Sequence, residues 1–136
     1  MTDESVEVVQ GDDERWRWRA AARDGAVAGV LSFKSRAEAL ADAALHAQAP
    51  RDPTGRLVMS KEYVRRLISA IALPCAACED VYFGGVYWHR RGADGANWGV
   101  AIMNGAGDHH GCLDCVQAAR EELRRRYAIV DRKSVV

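Results

Sequence analysis

Four cysteines in two pairs, Cys75 with Cys78 and Cys112 with Cys115, constrain this chain more than any other feature. Each pair is a CxxC, and residues 79 to 111 separate the two. A tight turn aims both sulfurs of a CxxC at one point. Two such pairs supply the four tetrahedral thiolates that zinc prefers, with metal–sulfur distances of about 2.3 Å. The intervening stretch is long enough for a hairpin to carry the second pair back to the first. The second pair opens "CLDCVQAAREELRRR", which reads as a helix start, where unpaired N–H groups and the helix dipole favour thiolate over thiol. Spacing and chemistry together predict one structural Zn2+ held by Cys75, Cys78, Cys112 and Cys115. Two other readings stay open. A thioredoxin-type redox motif follows a strand and opens a helix; the second pair passes, but Pro74-Cys75 follows a helix. Four unrelated buried thiols would also satisfy the count, without explaining the repeated spacing.

A zinc thiolate site needs a reducing compartment. The N-terminus, "MTDESVEVVQ", is acidic and lacks the basic and apolar regions of a secretion signal. No apolar run approaches the roughly 20 residues that span a bilayer. A soluble, cytoplasmic protein with no membrane partner is therefore expected, and the Ala- and Arg-rich composition is of a bacterial kind. With 19 basic and 19 acidic residues the formal net charge is zero. That argues against a basic field for nucleic acid and against an acidic mimic of DNA. The acids crowd the start: Asp3, Glu4, Glu7, Asp12, Asp13 and Glu14 come with no base among them. Residues 1–13 are accordingly read as an acidic flexible tail.

An α+β fold follows from the patterning. In residues 14–48, Trp16, Trp18 and Ala20 alternate with Arg15, Arg17 and Arg19, as in a half-buried strand. Asp24-Gly25 predicts a hairpin turn and Val27 to Phe33 a second strand. Ser35 with Glu38 forms a capping box for a helix whose apolar stripe is Leu40, Ala44 and Ala47. Residues 49–56, "APRDPTGR", read as a linker. The spacing predicts a linking helix within 57–73, capped by Ser60, striped by Val64, Leu67, Ile68 and Ile71, and ended by Pro74. Residues 74–130 form the expected zinc-binding module. It comprises a CxxC turn, a hairpin from about Val81 to Met103 turning at Asp94-Gly95, and a helix from about Leu113 to Ala128. Val116, Leu123 and Tyr127 share a face of that helix, and Glu121–Arg125 and Glu122–Arg126 make i,i+4 pairs. Trp18 and Trp88 each lie six residues before an Asp-Gly, an echo that fits either a duplicated unit or two ordinary hairpins.

The order of a CxxC turn, a hairpin and a CxxC at a helix start resembles a treble-clef zinc finger. It is nearest in layout to the zinc-binding domain of Clp-type unfoldases, over about residues 74 to 128. That resemblance implies zinc ligation by the same four cysteines and a partner-binding role. "WRWRAAARDGAVAGVLSFKSRAEALADA" is similar to the YegP-like small bacterial domain over about residues 14 to 48. It implies a β-β-α unit that associates through its sheet, and no reaction.

Other residues offer weaker chemistry. His109 and His110 precede the second pair as an extra ligand, a base, or an exposed loop pair. A His-metal-finger nuclease would use His89 with Asn97 or Asn104, but the last helix supplies no His or Asn for the metal. Trp88, Arg90, Arg91, Arg124 and Arg125 form a candidate partner-binding surface, with nucleic acid as the alternative occupant to protein. The reading is a non-catalytic zinc-binding interaction protein. It would bind another protein as adaptor or inhibitor, a phage- or mobile-element-encoded inhibitor included, and homodimerisation fits it as well. The alternative is a nucleic-acid-binding zinc finger, followed by a metal-dependent nuclease or a CxxC redox protein.

Overall fold

A computed structural model describes residues 6–22, 25–83, 85–100, 105 and 107–130. The architecture is mixed α+β, and the chain divides into two compact units, Met1–Ala49 and Pro50–Val136.

In the first unit, β1 (Val6–Gln10), β2 (Trp16–Ala22) and β3 (Gly25–Ala28) form an antiparallel sheet in the order β1-β2-β3. Helix α1 (Arg36–Gln48) packs against it. The Trp/Arg alternation sets the faces of β2: Arg17 and Arg19 are exposed, and Trp18 is only 3 % exposed. Part of the expected tail is an edge strand, since Val6 to Gln10 pair with Ala20 to Trp16. The acidic composition hid it. Glu7 is matched across the strands by Arg19 at 2.8 Å, so its charge does not keep the segment off the sheet. The second strand stops at Ala28, short of the expected Phe33, which returns only as a single bridge to Trp16. The break comes at Gly29, where a Cβ would strike the Trp18 indole. Asp24, half of the expected turn, lies outside the described residues.

Ser35 caps α1 by accepting from the Glu38 N–H, as the sequence predicts. The buried face is not the predicted stripe. Leu40, Ala44 and Ala47 face solvent, while Ala39, Asp42, Ala43 and His46 are buried. The Trp18 indole N–H donates to Asp42 Oδ2 at 2.8 Å, and the His46 ring packs edge-on to the indole with centroids 4.9 Å apart. A large aromatic with a polar edge selected two polar residues for its cover. Periodicity that counts only apolar residues cannot find that face.

In the second unit, the expected linker is an ordered loop. Asp52 accepts from the N–H groups of Thr54 and Arg56, and Arg56 is buried. β4 (Leu57–Met59) follows, then α2 (Lys61–Ala72), with Ser60 accepting from the Tyr63 N–H. Tyr63, Val64, Leu67 and Ile68 of α2 are buried. A 3₁₀ turn at Ala76–Cys78 leads to the antiparallel pair β5 (Val86–Trp88) and β6 (Trp98–Val100). Its turn lies at the expected Asp94-Gly95. Gly95 has φ +84°, and a Cβ there would lie 2.8 Å from the Arg56 guanidinium. Helix α3 (His109–Arg126) starts earlier than expected, and β7 (Tyr127–Ile129) replaces its expected last residues. β7 pairs in parallel with β4. Asn97 continues that sheet with its side chain, donating to the Ile129 carbonyl at 3.0 Å and accepting the Ile129 N–H at 3.1 Å. Beside it the fully buried Trp98 donates to the Tyr127 carbonyl at 3.0 Å. Arg125 pairs at i,i+3 with Glu122, at 2.7 Å, where the sequence predicts Glu121 as its partner.

Candidate functional site

All four cysteines meet at one end of the second unit. Pro74 ends α2, and the chain turns tightly through Cys75 to Cys78, with the Cys78 N–H bonded to the Cys75 carbonyl at 2.9 Å. That turn packs against the N-terminal half of α3, which carries Cys112 and Cys115. Cys75, Cys78 and Cys112 form one buried cluster with Val81 and Val116, covered by Ile71, Ala72, Ala77 and Phe83. The thiols are joined crosswise, Cys75 to Cys115 and Cys78 to Cys112, with Cα separations of 6.1 Å and 4.6 Å. Each bond therefore ties the 3₁₀ turn to α3, and neither closes within a CxxC. A thioredoxin-type dithiol pairs within its own motif. Among the described residues no group of three or more Cys, His, Asp or Glu is set out to hold a metal, the cysteines being engaged in these bonds.

The two disulfides differ in surroundings. Cys112 is fully buried, and Cys78 and Cys75 are nearly so, while Cys115 is exposed on α3. The early start of α3 alters the expected electrostatics. Asp108 caps the helix by accepting from the Gly111 N–H, and the Cys112 N–H already donates to the Asp108 carbonyl at 2.9 Å. The helix mouth thus lies before the cysteines, at Asp108 to Gly111. Cys75 and Cys78 also line a cleft of about 460 Å³, whose other walls include Arg65, Ser69, Leu73 and Tyr82. Leu73 is 84 % and Tyr82 62 % exposed at its rim. Nothing in the spacing of the cysteines announced this cleft, although Tyr82 and Phe83, four and five residues after Cys78, line it.

The histidines stand apart from the sulfur cluster in their bonding. His109 Nε2 lies 2.9 Å from the Gly105 carbonyl, and the exposed His110 lies 3.7 Å from Asp114. His89 has Nδ1 2.6 Å from the Arg90 carbonyl and Nε2 3.4 Å from the Arg124 guanidinium. Asn97 is committed to Ile129, and Asn104 lies outside the described residues.

Three of the five candidate surface residues, Arg91, Arg124 and Arg125, meet carboxylates of the same unit. Arg91 meets Asp52 at 2.6 Å and Arg124 meets Asp94 at 3.1 Å. Arg125 meets Glu122 at 2.7 Å. Arg90 is exposed and Trp88 half-buried. Burial alone would raise the Asp52 carboxyl, but bonds from the Thr54 hydroxyl, the Arg56 N–H, Arg91 and the Thr54 N–H outweigh it, holding the group below the usual range. The Ala96 N–H, and after it Arg124, lower Asp94 in the same way. Arg56 completes the arrangement, donating to the Arg124 and Asp94 carbonyls at 2.8 Å each. These arginines and carboxylates clamp the hairpin turn to the 52–56 loop and to the end of α3.

No helix among the described residues is long and apolar enough to cross a membrane. No family model matches the chain, and neither a curated protein nor a solved structure matches it, so the zinc-finger and YegP-like resemblances rest on the residues that carry them.

Proposed function

We propose that the chain is a non-catalytic interaction protein whose C-terminal unit is built around its four cysteines, and that the reduced thiolates hold one structural Zn2+. The observation that carries this reading is the convergence of Cys75, Cys78, Cys112 and Cys115 from two distant segments. Four thiolates are a zinc donor set. In a tetrahedral site with bonds of about 2.3 Å the sulfurs stand roughly 3.8 Å apart, so binding the ion would require both disulfides to be reduced and all four sulfurs to be drawn around one point. The partner is a protein, bound in the manner of an adaptor or inhibitor. Exposed Leu73 and Tyr82 at the cleft support that choice. Pairing of Arg91, Arg124 and Arg125 with carboxylates weighs against nucleic acid. A cytoplasmic location belongs to the same proposal, because a reducing compartment keeps the thiols free for metal.

Native mass spectrometry of the reduced chain, before and after a chelator, tests the zinc. One zinc per chain, lost to the chelator with loss of compactness, is the expected result. A reduced chain that is compact and metal-free would overturn it. Retention on heparin with a steep salt dependence would move the partner to nucleic acid.

A further inference from the structure

Resting on the zinc reading above, we infer that the cysteine cluster is a redox-gated metal site. Oxidation by a peroxide would expel the zinc and leave the crossed disulfides Cys75–Cys115 and Cys78–Cys112, with the unit still folded.

Three observations support this. The first is topology. Both disulfides join the 3₁₀ turn at Ala76–Cys78 to α3, the same two segments that a four-thiolate zinc ion would join. Each state therefore carries cross-links between the same parts of the chain. Pairing inside each CxxC would instead leave the turn and α3 without any bond between them. The second is reach. Cα separations of 6.1 Å and 4.6 Å lie within the span that a disulfide bridges without backbone movement. The third is unequal access. Cys115 is exposed, Cys75 and Cys78 open onto the cleft, and Cys112 is fully buried against Val116. A small oxidant reaches Cys115 from solvent and Cys78 only through the cleft, so the two disulfides form in order.

The chemistry balances with hydrogen peroxide as oxidant. The Cys115 thiolate attacks one peroxide oxygen; the O–O bond breaks, and hydroxide leaves and is protonated to water. The sulfenic acid so formed on Cys115 is attacked by the Cys75 thiolate. The S–O bond breaks, a second water forms, and the first disulfide closes. Cys78 and Cys112 alone would then be left as thiolate ligands, too few to retain the ion. A second peroxide takes Cys78 and Cys112 through the same steps. In all, four thiolates on one Zn2+, two peroxides and four protons would give two disulfides, four waters and the free Zn2+.

The test uses the full chain, reduced and zinc-loaded, titrated with hydrogen peroxide. Zinc content is measured first, then zinc release with a metal-sensitive dye, disulfide connectivity by non-reducing peptide mapping, and folding by far-UV circular dichroism. The expected result is one zinc per chain at the start, released with the first equivalent of peroxide, and both disulfides formed by the second. Cys75–Cys115 should appear before Cys78–Cys112, with the dichroism unchanged. A zinc-loaded chain that forms Cys75–Cys78 and Cys112–Cys115, or that loses its dichroism as zinc leaves, overturns this inference and leaves the zinc reading standing. A reduced chain without zinc overturns both.

Discussion

The two units solve the same problem by different means. Each is too small to rest on an extensive apolar core. The first, Met1–Ala49, has no cysteine and centres on one aromatic, Trp18, whose buried neighbours on α1 include Asp42 and His46. The second, Pro50–Val136, has a larger apolar core containing Trp98, Leu67, Ile68, Leu123 and Tyr127. It nevertheless adds all four cysteines at the end where its cluster thins to Val81 and Val116. A small core can thus be made specific by one directed hydrogen bond or made permanent by cross-links. The first choice depends on shape, and the second on redox state or metal.

The largest effect that would break this comparison is removal of the cross-links. Replacing Cys75, Cys78, Cys112 and Cys115 together by Ser should cost the second unit about 2–5 kcal/mol for each lost disulfide. Hydrogen exchange should then show α2 and α3 deprotected while β2 keeps its protection. Equal loss in β2 would mean that the two units do not fold separately. Next in size, Trp18→Ala should cost about 3–5 kcal/mol and reverse the pattern, with β2 and α1 deprotected and α2 retained. Trp18→Phe sharpens the point: it keeps most of the volume but removes the indole donor to Asp42, for about 1–3 kcal/mol in denaturant melts. A cost below ~0.5 kcal/mol would show that packing alone holds the first unit.

Within the second unit, Asn97→Ala should cost about 2 kcal/mol, because both backbone groups of Ile129 lose their side-chain partner. The check is a melt read against Asn97→Asp, which keeps an acceptor for the Ile129 N–H but loses the amide donor. The smallest effect is electrostatic. Asp52 is held below the ordinary carboxylate range when folded, so it contributes stability above its unfolded value of about 4. That contribution disappears as pH falls through the lower folded value. Wild-type protein should therefore lose stability below about pH 4 more steeply than Asp52→Asn. Identical acid limbs would show that the Arg91–Asp52 contact adds nothing.

Local signals were legible in the sequence because they act over a few residues. Ser35 and Ser60 cap the helices they were expected to cap. The Trp/Arg alternation set the faces of β2, and Asp94-Gly95 marked a real turn. Two kinds of feature escaped. Strands of three residues carry almost no periodicity, so β4 and β7, far apart in the chain, paired unannounced. Polar residues that are buried for a partner read as solvent-facing, so Asp42 and His46 displaced the Leu40 stripe; and spacing along the chain does not reveal that the candidate surface residues Arg91 and Arg124 pair with Asp52 and Asp94.

The candidate site shows the same division. Repeated CxxC spacing alone led to the expectation that the two pairs come together, since a tight turn aims each pair at a point, and the structure does join them, as two disulfides. It also placed a helix after the second pair and a hairpin between the pairs. Only the tertiary structure decided that the pairs join crosswise, that α3 begins before Cys112, and that Cys115 faces solvent while Cys112 is buried. The reason is that spacing specifies distance along the chain. Which sulfur meets which, and which one meets solvent, depends on how the 3₁₀ turn lies against α3, where Cys75, Cys78, Val81, Cys112 and Val116 pack in one buried cluster.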